Sequence, residues 1–290
     1  MELSSPAYAK INISLDIVSK RPDGYHNLRT IMQSVSLCDD IYMKCSPGDG
    51  VCVATNLSYI PNDSHNIAAK TVSAFFDYTR IKGYRADIKI EKHIPVCAGL
   101  GGGSSDAACV LRMLDEIFET KLGREELEKL GGTVGADVPF CIDGGTKLAE
   151  GTGDILTDLE LIPDSYIVIC KPKYSCSTPE NFSRVKCEKL RARPDTDGII
   201  KALAEGNIGA IARRMYNVFE DVLAHGKDDI DMIKGVLHDN NALGAIMTGS
   251  GPAVFGLFDD CDNAKRAHNA LLGDYKDCFL ATTLPSFGVC

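Results

Sequence analysis

Residues Gly99-Leu100-Gly101-Gly102-Gly103-Ser104-Ser105 constrain this 290-residue chain more than any other stretch. Successive glycines let the backbone enter left-handed conformations at no side-chain cost. Their amides can then turn toward one point and form a nest for an anion. The next residues read as a helix. Ala107, Ala108, Leu111, Leu114 and Phe118 fall on one face at the i, i+3, i+4, i+7 spacing. A glycine loop that runs into a helix N-terminus adds the partial positive charge of the helix to the nest. Ser104 or Ser105 is the expected N-cap, because a hydroxyl there satisfies a first-turn amide. Both hydroxyls are also expected to reach phosphate oxygens or Mg²⁺. Asp106 could hold Mg²⁺ directly or through water, but a first-turn acid is expected rather to offset the helix dipole. The plain alternative is a turn that binds nothing, and four glycines with two serines at a helix start argue against it.

The pattern excludes two common phosphate motifs. A Walker loop needs a lysine after its glycines, and none is present here. A dinucleotide fingerprint needs a third glycine where Ser104 stands, and it opens the first strand–helix unit of a domain. A dehydrogenase reading is therefore disfavoured.

The periodicity elsewhere indicates α+β packing rather than a doubly wound parallel sheet. Residues 9–18 alternate, with Ile11, Ile13, Leu15 and Ile17 on one face, and residues 85–92 alternate as well. Residues 67–80 have helical spacing. In the second half, strands are expected at 166–171, 253–258 and about 278–283, with a short apolar segment at 245–247. Helices are expected at 199–223, 230–240 and 263–272. The glycine-rich stretch 144–153 precedes a boundary near 158–163, which gives two domains, 1–158 and 159–290.

A net charge of -9 and the lack of any Lys/Arg run disfavour nucleic acid and anionic membranes as partners. A small molecule is the better fit. The N-terminus carries no signal-peptide pattern, and no run approaches the roughly 20 apolar residues of a membrane span, so a cytoplasmic protein is expected. The 12 cysteines include no CxxC and the six histidines no HExxH, so the thiols are expected to be buried as small hydrophobes.

The stretch Pro95-Val96-Cys97-Ala98-Gly99-Leu100-Gly101-Gly102-Gly103-Ser104-Ser105-Asp106-Ala107-Ala108 resembles the ATP loop of the galactokinase–homoserine kinase–mevalonate kinase (GHMP) superfamily. Ala98 departs from it where many relatives carry glycine, and its methyl is expected to tighten the loop. Other segments resemble the branch of that superfamily that phosphorylates cytidine-diphosphate-linked methylerythritol in the non-mevalonate route to isoprenoids. These are Ala9-Lys10-Ile11-Asn12, Arg21-Pro22-Asp23-Gly24-Tyr25-His26-Asn27-Leu28, Gly135-Ala136-Asp137-Val138-Pro139-Phe140, Ser177-Thr178-Pro179-Glu180-Asn181-Phe182 and Met247-Thr248-Gly249-Ser250-Gly251-Pro252. They span nearly the whole chain in order.

The resemblance implies a two-domain fold. An N-terminal ribosomal-S5-domain-2-like ATP domain would face a C-terminal ferredoxin-like α/β sandwich across the active-site cleft. It implies ATP and Mg²⁺ as cofactors, with the metal ligands left open, and phosphorylation of the substrate's 2-hydroxyl by a monomer or homodimer. Asp137 would accept the hydroxyl proton or orient the hydroxyl, and Lys10 would stabilise the charge. Read alone, Asp137 is a turn or N-cap acid and Lys10 a solvated strand-edge charge, but their apolar contexts and the resemblance turn both toward catalysis. Tyr25 and Phe182 would sandwich the cytosine and His26 would read its edge. Asn12 and Thr178 would bind the polyol or diphosphate side. Asn66 and Lys70 would lie near the adenine or serve only the helix surface. The segment Gly249-Ser250-Gly251 would pack beside the ATP loop. Other superfamily kinases, acting on homoserine or mevalonate, and a non-catalytic nucleotide-binding protein on the same scaffold are the alternatives.

Overall fold

The computed structural model describes residues 1–190 and 192–289. In the first half the chain forms β1 (Glu2–Lys20), β2 (His26–Pro47), β3 (Gly50–Thr55), α1 (Ile67–Thr79), β4 (Tyr84–Glu91), α2 (Gly102–Phe118), α3 (Arg124–Gly132), α4 (Val138–Asp143), β5 (Thr146–Gly151) and β6 (Ile155–Asp158). The second half forms β7 (Tyr166–Lys171), α5 (Thr178–Arg184), α6 (Thr196–Ala204), α7 (Ile208–Ala212), β8 (Tyr216–Asn217), α8 (Lys227–Asp239), β9 (Gly244–Met247), β10 (Val254–Phe258), α9 (Cys261–Leu272) and β11 (Asp277–Thr282).

The described residues make a seven-stranded and a four-stranded sheet. The first runs β3-β4-β2-β1-β8, with β5 and β6 added beside β2. Strand β2 pairs with β5 through Leu28–Gln33 and with β4 through Asp40–Pro47. The second sheet is antiparallel in the order β11-β7-β10-β9. That order with the sequence β-α-β-β-α-β is a ferredoxin-like arrangement. The expected α+β class is the one observed.

Strand β1 corrects one detail. Ile11 and Ile13 pack in the cluster between the sheets, but Leu15 and Ile17 join the core of the second half. A register shift between Asn12 and Ser14 separates the two pairs. Such a bulge inserts a residue and re-aims the strand beyond it. The opposite face, with Lys10, Asn12 and Ser14, is also buried, so the lysine is not a solvated edge charge.

Strand β7 is buried on both faces. Ile167 and Ile169 meet the inter-sheet cluster with Phe255 and Ile199, while Val168 and Cys170 meet α8 and α9 through Ile233, Leu237, Ala264 and Ala267. A short continuous apolar run is the signature of such a strand. Each fully buried Ile or Leu contributes about 1.5–3 kcal/mol over an exposed one.

The single helix expected over 199–223 is instead α6, α7 and β8. Gly206 takes φ +62° and ends the first helical run. Asn207 then caps α7 by accepting the Ala210 amide. The thiol expectation holds for Cys45, Cys109, Cys141, Cys170 and Cys278, whereas Cys52 and Cys97 are exposed. Among the described residues no helix is long and apolar enough to cross a membrane.

Candidate active site

A cleft of about 1410 Å³ lies where β1, the glycine loop, α4, α5 and the 248–251 loop converge. That is ample for two small ligands, since a single-ligand pocket is roughly 300–1,000 Å³. Of the site residues expected from sequence, Lys10, Asn12, Tyr25, His26, Asn66, Pro95 to Ser104, Asp137, Thr178 and Phe182 line it.

The loop differs from expectation at its helix junction. Helix α2 begins at Gly102, and its N-cap is Gly101 at φ +70° with no side-chain cap. The amides of Gly102, Gly103 and Ser104 have no acceptor among the described residues, and the first intrahelical bond is Ser105 N to Gly101 O at 2.8 Å. The capping that a serine was expected to supply is thus absent. Three amides are left to point at a ligand, as helix geometry requires of a first turn. Ser105 is turned away: its hydroxyl donates to the Tyr8 carbonyl at 2.5 Å, and the residue is buried outside the cleft lining. Its hydroxyl therefore does not reach toward a phosphate. Ser104 keeps its place in the lining.

Gly99, at φ +80°, is fixed by close approach. A Cβ there would lie 2.1 Å from the Thr248 carbonyl oxygen, and one on Gly249 would lie 2.8 Å from the Gly99 carbonyl oxygen. Ala253 N donates to Ala98 O at 3.2 Å, which places the expected tightening methyl in the buried cluster between the sheets. From below, Asn217 holds the 248–251 loop by donating to Met247 O and Gly249 O at 2.7 and 2.9 Å.

Lys10 enters this junction from β1. Its stem lies against Gly101, where a Cβ would stand 2.9 Å from Lys10 Cγ. Its ammonium donates to Asn12 Oδ1 at 2.8 Å and Gly99 O at 3.1 Å, and sits 3.4 Å from Asp137 Oδ2. Asp137 occupies the N-cap position of α4, yet its side chain makes no capping bond. It faces Lys10 instead and is 38% exposed, open to a ligand.

Asn12 is tied into the frame at both side-chain atoms and at its backbone amide. Beyond holding Lys10, its Nδ2 donates to Thr30 Oγ1 at 2.8 Å and its amide to Thr248 Oγ1 at 3.0 Å. It therefore positions Lys10. Thr30 and Thr248 complete this frame and were not legible as site residues. Asn12→Ala is expected to lower kcat about tenfold with little change in the nucleotide KM, because removing one buried partner costs about 1–3 kcal/mol. Steady-state kinetics checks this.

At the other end, the turn Arg21-Pro22-Asp23-Gly24-Tyr25 joins β1 to β2. Gly24 takes φ +90°, and Asp23 accepts the Tyr25 amide at 3.1 Å. Tyr25 is left 67% exposed and His26 is buried. The His26 ring packs against Phe182 at 5.3 Å between centroids, and Phe182 meets Phe219 edge-on at 4.9 Å. Burial, and next the Lys20 charge, hold His26 below its ordinary pKa, so the ring is neutral at pH 7. Thr178 and Ser250 share a hydroxyl hydrogen bond of 2.7 Å, and Asn181 donates to Ser250 O at 2.8 Å, docking α5 on the loop.

Asn66 caps α1, accepting the Ala68 amide at 2.9 Å while donating to Pro61 O at 2.7 Å. Lys70 is exposed on α1 outside the cleft lining. Asp106 is not a dipole acid at the surface. It is buried beside Lys92, which it meets at 2.7 Å, and Lys92 also pairs with the buried Asp39. The 53-residue separation of Lys92 and Asp39 left no local signal.

Two family models match the chain. One described as the GHMP kinases N terminal domain covers residues 66–145, and one described as GHMP kinases C terminal covers residues 199–277. A 4-diphosphocytidyl-2-C-methyl-D-erythritol kinase of Caldicellulosiruptor bescii is 44% identical over 97% of this chain and 98% of its own. A protein of the same name from Clostridium botulinum is 42% identical over 97% and 99%. A crystal structure of 4-(cytidine 5'-diphospho)-2C-methyl-D-erythritol kinase superposes with a TM-score of 0.80 at 31% identity, covering 97% of this chain and 99% of that one. Homoserine kinase from Cytophaga hutchinsonii shares the fold, with a TM-score of 0.75 at 17% identity over 98% and 95% of the two chains.

Proposed function

The chain belongs to the GHMP kinases, and from that membership we propose that it transfers the γ-phosphoryl group of ATP to the 2-hydroxyl of 4-diphosphocytidyl-2-C-methyl-D-erythritol. The step serves the non-mevalonate route to isoprenoid precursors. One observation carries the reading. The Lys10–Asp137 pair, 3.4 Å apart, shares a single cleft with the open amides of α2 and the His26–Phe182 rings.

Phosphoryl transfer asks for positioning and charge neutralisation more than for covalent chemistry. The amides of Gly102, Gly103 and Ser104 receive the phosphate chain. Asp137 orients the acceptor hydroxyl and takes its proton as the new O–P bond forms. The bond from the γ-phosphorus to the bridging oxygen breaks, and ADP leaves. Lys10 stabilises the charge that gathers on the transferring group. At the far end, His26 reads the cytosine edge, Phe182 and Tyr25 provide ring faces, and Asn12 and Thr178 border the polyol and diphosphate. Aromatic faces suit a flat base.

Mg²⁺ bound with ATP would supply charge neutralisation on the phosphates. Among the described residues no group of three or more His, Cys, Asp or Glu side chains converges to hold a metal. We place the domain division at 158/159, with ATP handled by 1–158. The enzyme acts in the cytoplasm as a monomer or homodimer.

An ADP-release assay with the cytidylyl substrate, homoserine and mevalonate tests the proposal. Turnover is expected with the first alone. Turnover of homoserine or mevalonate with none of the cytidylyl compound would overturn it.

A further inference from the structure

Beneath the phosphate loop lies a buried charge cluster that the mechanism does not use. Lys92 stands between Asp39 and Asp106, all three nearly solvent-free. Asp39 is satisfied as an anion: its Oδ2 accepts Lys92, and its Oδ1 accepts the amides of His93 and Ile94 at 2.6 and 2.8 Å. Asp106 is not. Its Oδ2 accepts Lys92, while its buried Oδ1 has no hydrogen-bond partner. One ammonium against two carboxylates leaves one excess negative charge, and a buried unsatisfied anion is costly.

We propose that Asp106 is a proton-bearing positioning residue under the phosphate cradle, and that nucleotide binding is linked to proton uptake at its carboxyl. The proton cancels the excess charge of the cluster. Asp39, whose charge and hydrogen bonding both favour the protonated form, is its neighbour. Burial is the largest influence on Asp106. Together with Asp39 it outweighs Lys92 and brings the titration to about 7. Lys92 itself stays charged, since Asp106 and Asp39 overcome the opposing effect of its burial. The other titratable neighbours are the thiols of Cys109 on α2 and Cys141 on α4, each influenced by the Asp106 charge.

The coupling comes from position. Asp106 lies one turn into the helix whose first amides receive the phosphates, and Lys92 Nζ lies 3.4 Å from where a Gly102 Cβ would stand. A phosphate chain brought there favours the neutral form of Asp106. One proton passes from solvent to the carboxyl, and no covalent bond changes. By reciprocity the protonated enzyme binds the nucleotide more tightly. The pKa of Asp106 is higher in the complex than in the free enzyme. The affinity gain is therefore complete below the free-enzyme value and is lost as pH rises through the value in the complex.

The inference rests on reading the loop as an ATP site, so the probe is ADP. Calorimetry at pH 7.5 in buffers of different ionisation enthalpy counts the protons taken up by wild type and by Asp106→Asn. The phosphate's own titration is common to both proteins and cancels in the comparison. Wild type is expected to take up more protons. Its dissociation constant should also rise about threefold to tenfold more than the variant's between pH 6.5 and 8.5, within the limit of tenfold per unit for one linked proton. ADP binding with equal uptake and parallel pH profiles overturns this inference alone. No ADP binding by wild type overturns the ATP reading with it. If Asp106→Asn does not fold, infrared difference spectra of wild type decide. Growth of a protonated-carboxyl band on ADP binding supports the linkage, and no growth overturns it.

Discussion

Asp137→Asn is expected to lower kcat about a thousandfold while the dissociation constant for ATP changes less than about threefold. The amide keeps the size and the Lys10 contact of the carboxylate but cannot take a proton, and a positioned acid–base group contributes about 10²–10⁴-fold. The fold should be indifferent. Asp137 sits at an N-cap position without using its side chain as a cap, so no capping bond is lost. Single-turnover kinetics with nucleotide binding measured alongside separates the two effects. A near-normal rate would remove Asp137 from the chemistry and leave it as an acid that merely faces Lys10.

The second large effect is expected at Gly99. Gly99→Ala places a methyl against the Thr248 carbonyl oxygen, 2.1 Å away on ideal geometry, in a residue at φ +80°. Left-handed strain of about 1–2 kcal/mol adds to about 1–3 kcal/mol of overpacking. The thermal midpoint should fall by about 4 °C or more, at roughly 2–4 °C per kcal/mol for a large domain. A displacement of 1 Å in the loop is enough for about a hundredfold loss in kcat/KM. Gly235→Ala provides the contrast. It lies inside α8 with nothing within 4 Å of the added Cβ, and it should stabilise by about 0.5–1 kcal/mol through helix propensity. Differential scanning calorimetry on the two variants checks the opposite signs.

These two sites differ in how far the sequence announced them. The glycine loop and the Arg21-Pro22-Asp23-Gly24-Tyr25 turn are legible because their conformations depend on residues close in the chain. The helices α1, α8 and α9 are legible because their apolar spacing holds over three turns. The break at Gly206-Asn207 was also written locally, as a glycine stop and an asparagine cap. The apolar pattern resumes beyond it and masks the break. The bulge in β1 had no such signal. The alternation of Ile11, Ile13, Leu15 and Ile17 is unbroken in sequence, and only the register against β2 divides it. Side-chain partners were the least legible. The Lys92–Asp39 pair spans 53 residues and the Asn12–Thr248 bond 236. Asn12 read only as a ligand, and its second task, holding Lys10 through Oδ1, had no local signal. Ser105 likewise carried a hydroxyl in the right pattern, but its rotamer is taken by the Tyr8 carbonyl.

The parallel pairing of β8 with β1 places Tyr216 and Asn217, from the later half of the chain, at the edge of the earlier sheet. The tail returns the same way. Leu284 N donates to Ser34 O and Phe287 N to Asp143 O, while the Phe287 ring packs on Tyr8. The two halves are thus spliced rather than hinged. A protease nick between them should not release two separable pieces, and heating should melt both in one step. Any widening of the cleft is confined to small local rearrangements at its rim, such as α5 lifting from Ser250, because a wide yawning of one half from the other would tear strands apart.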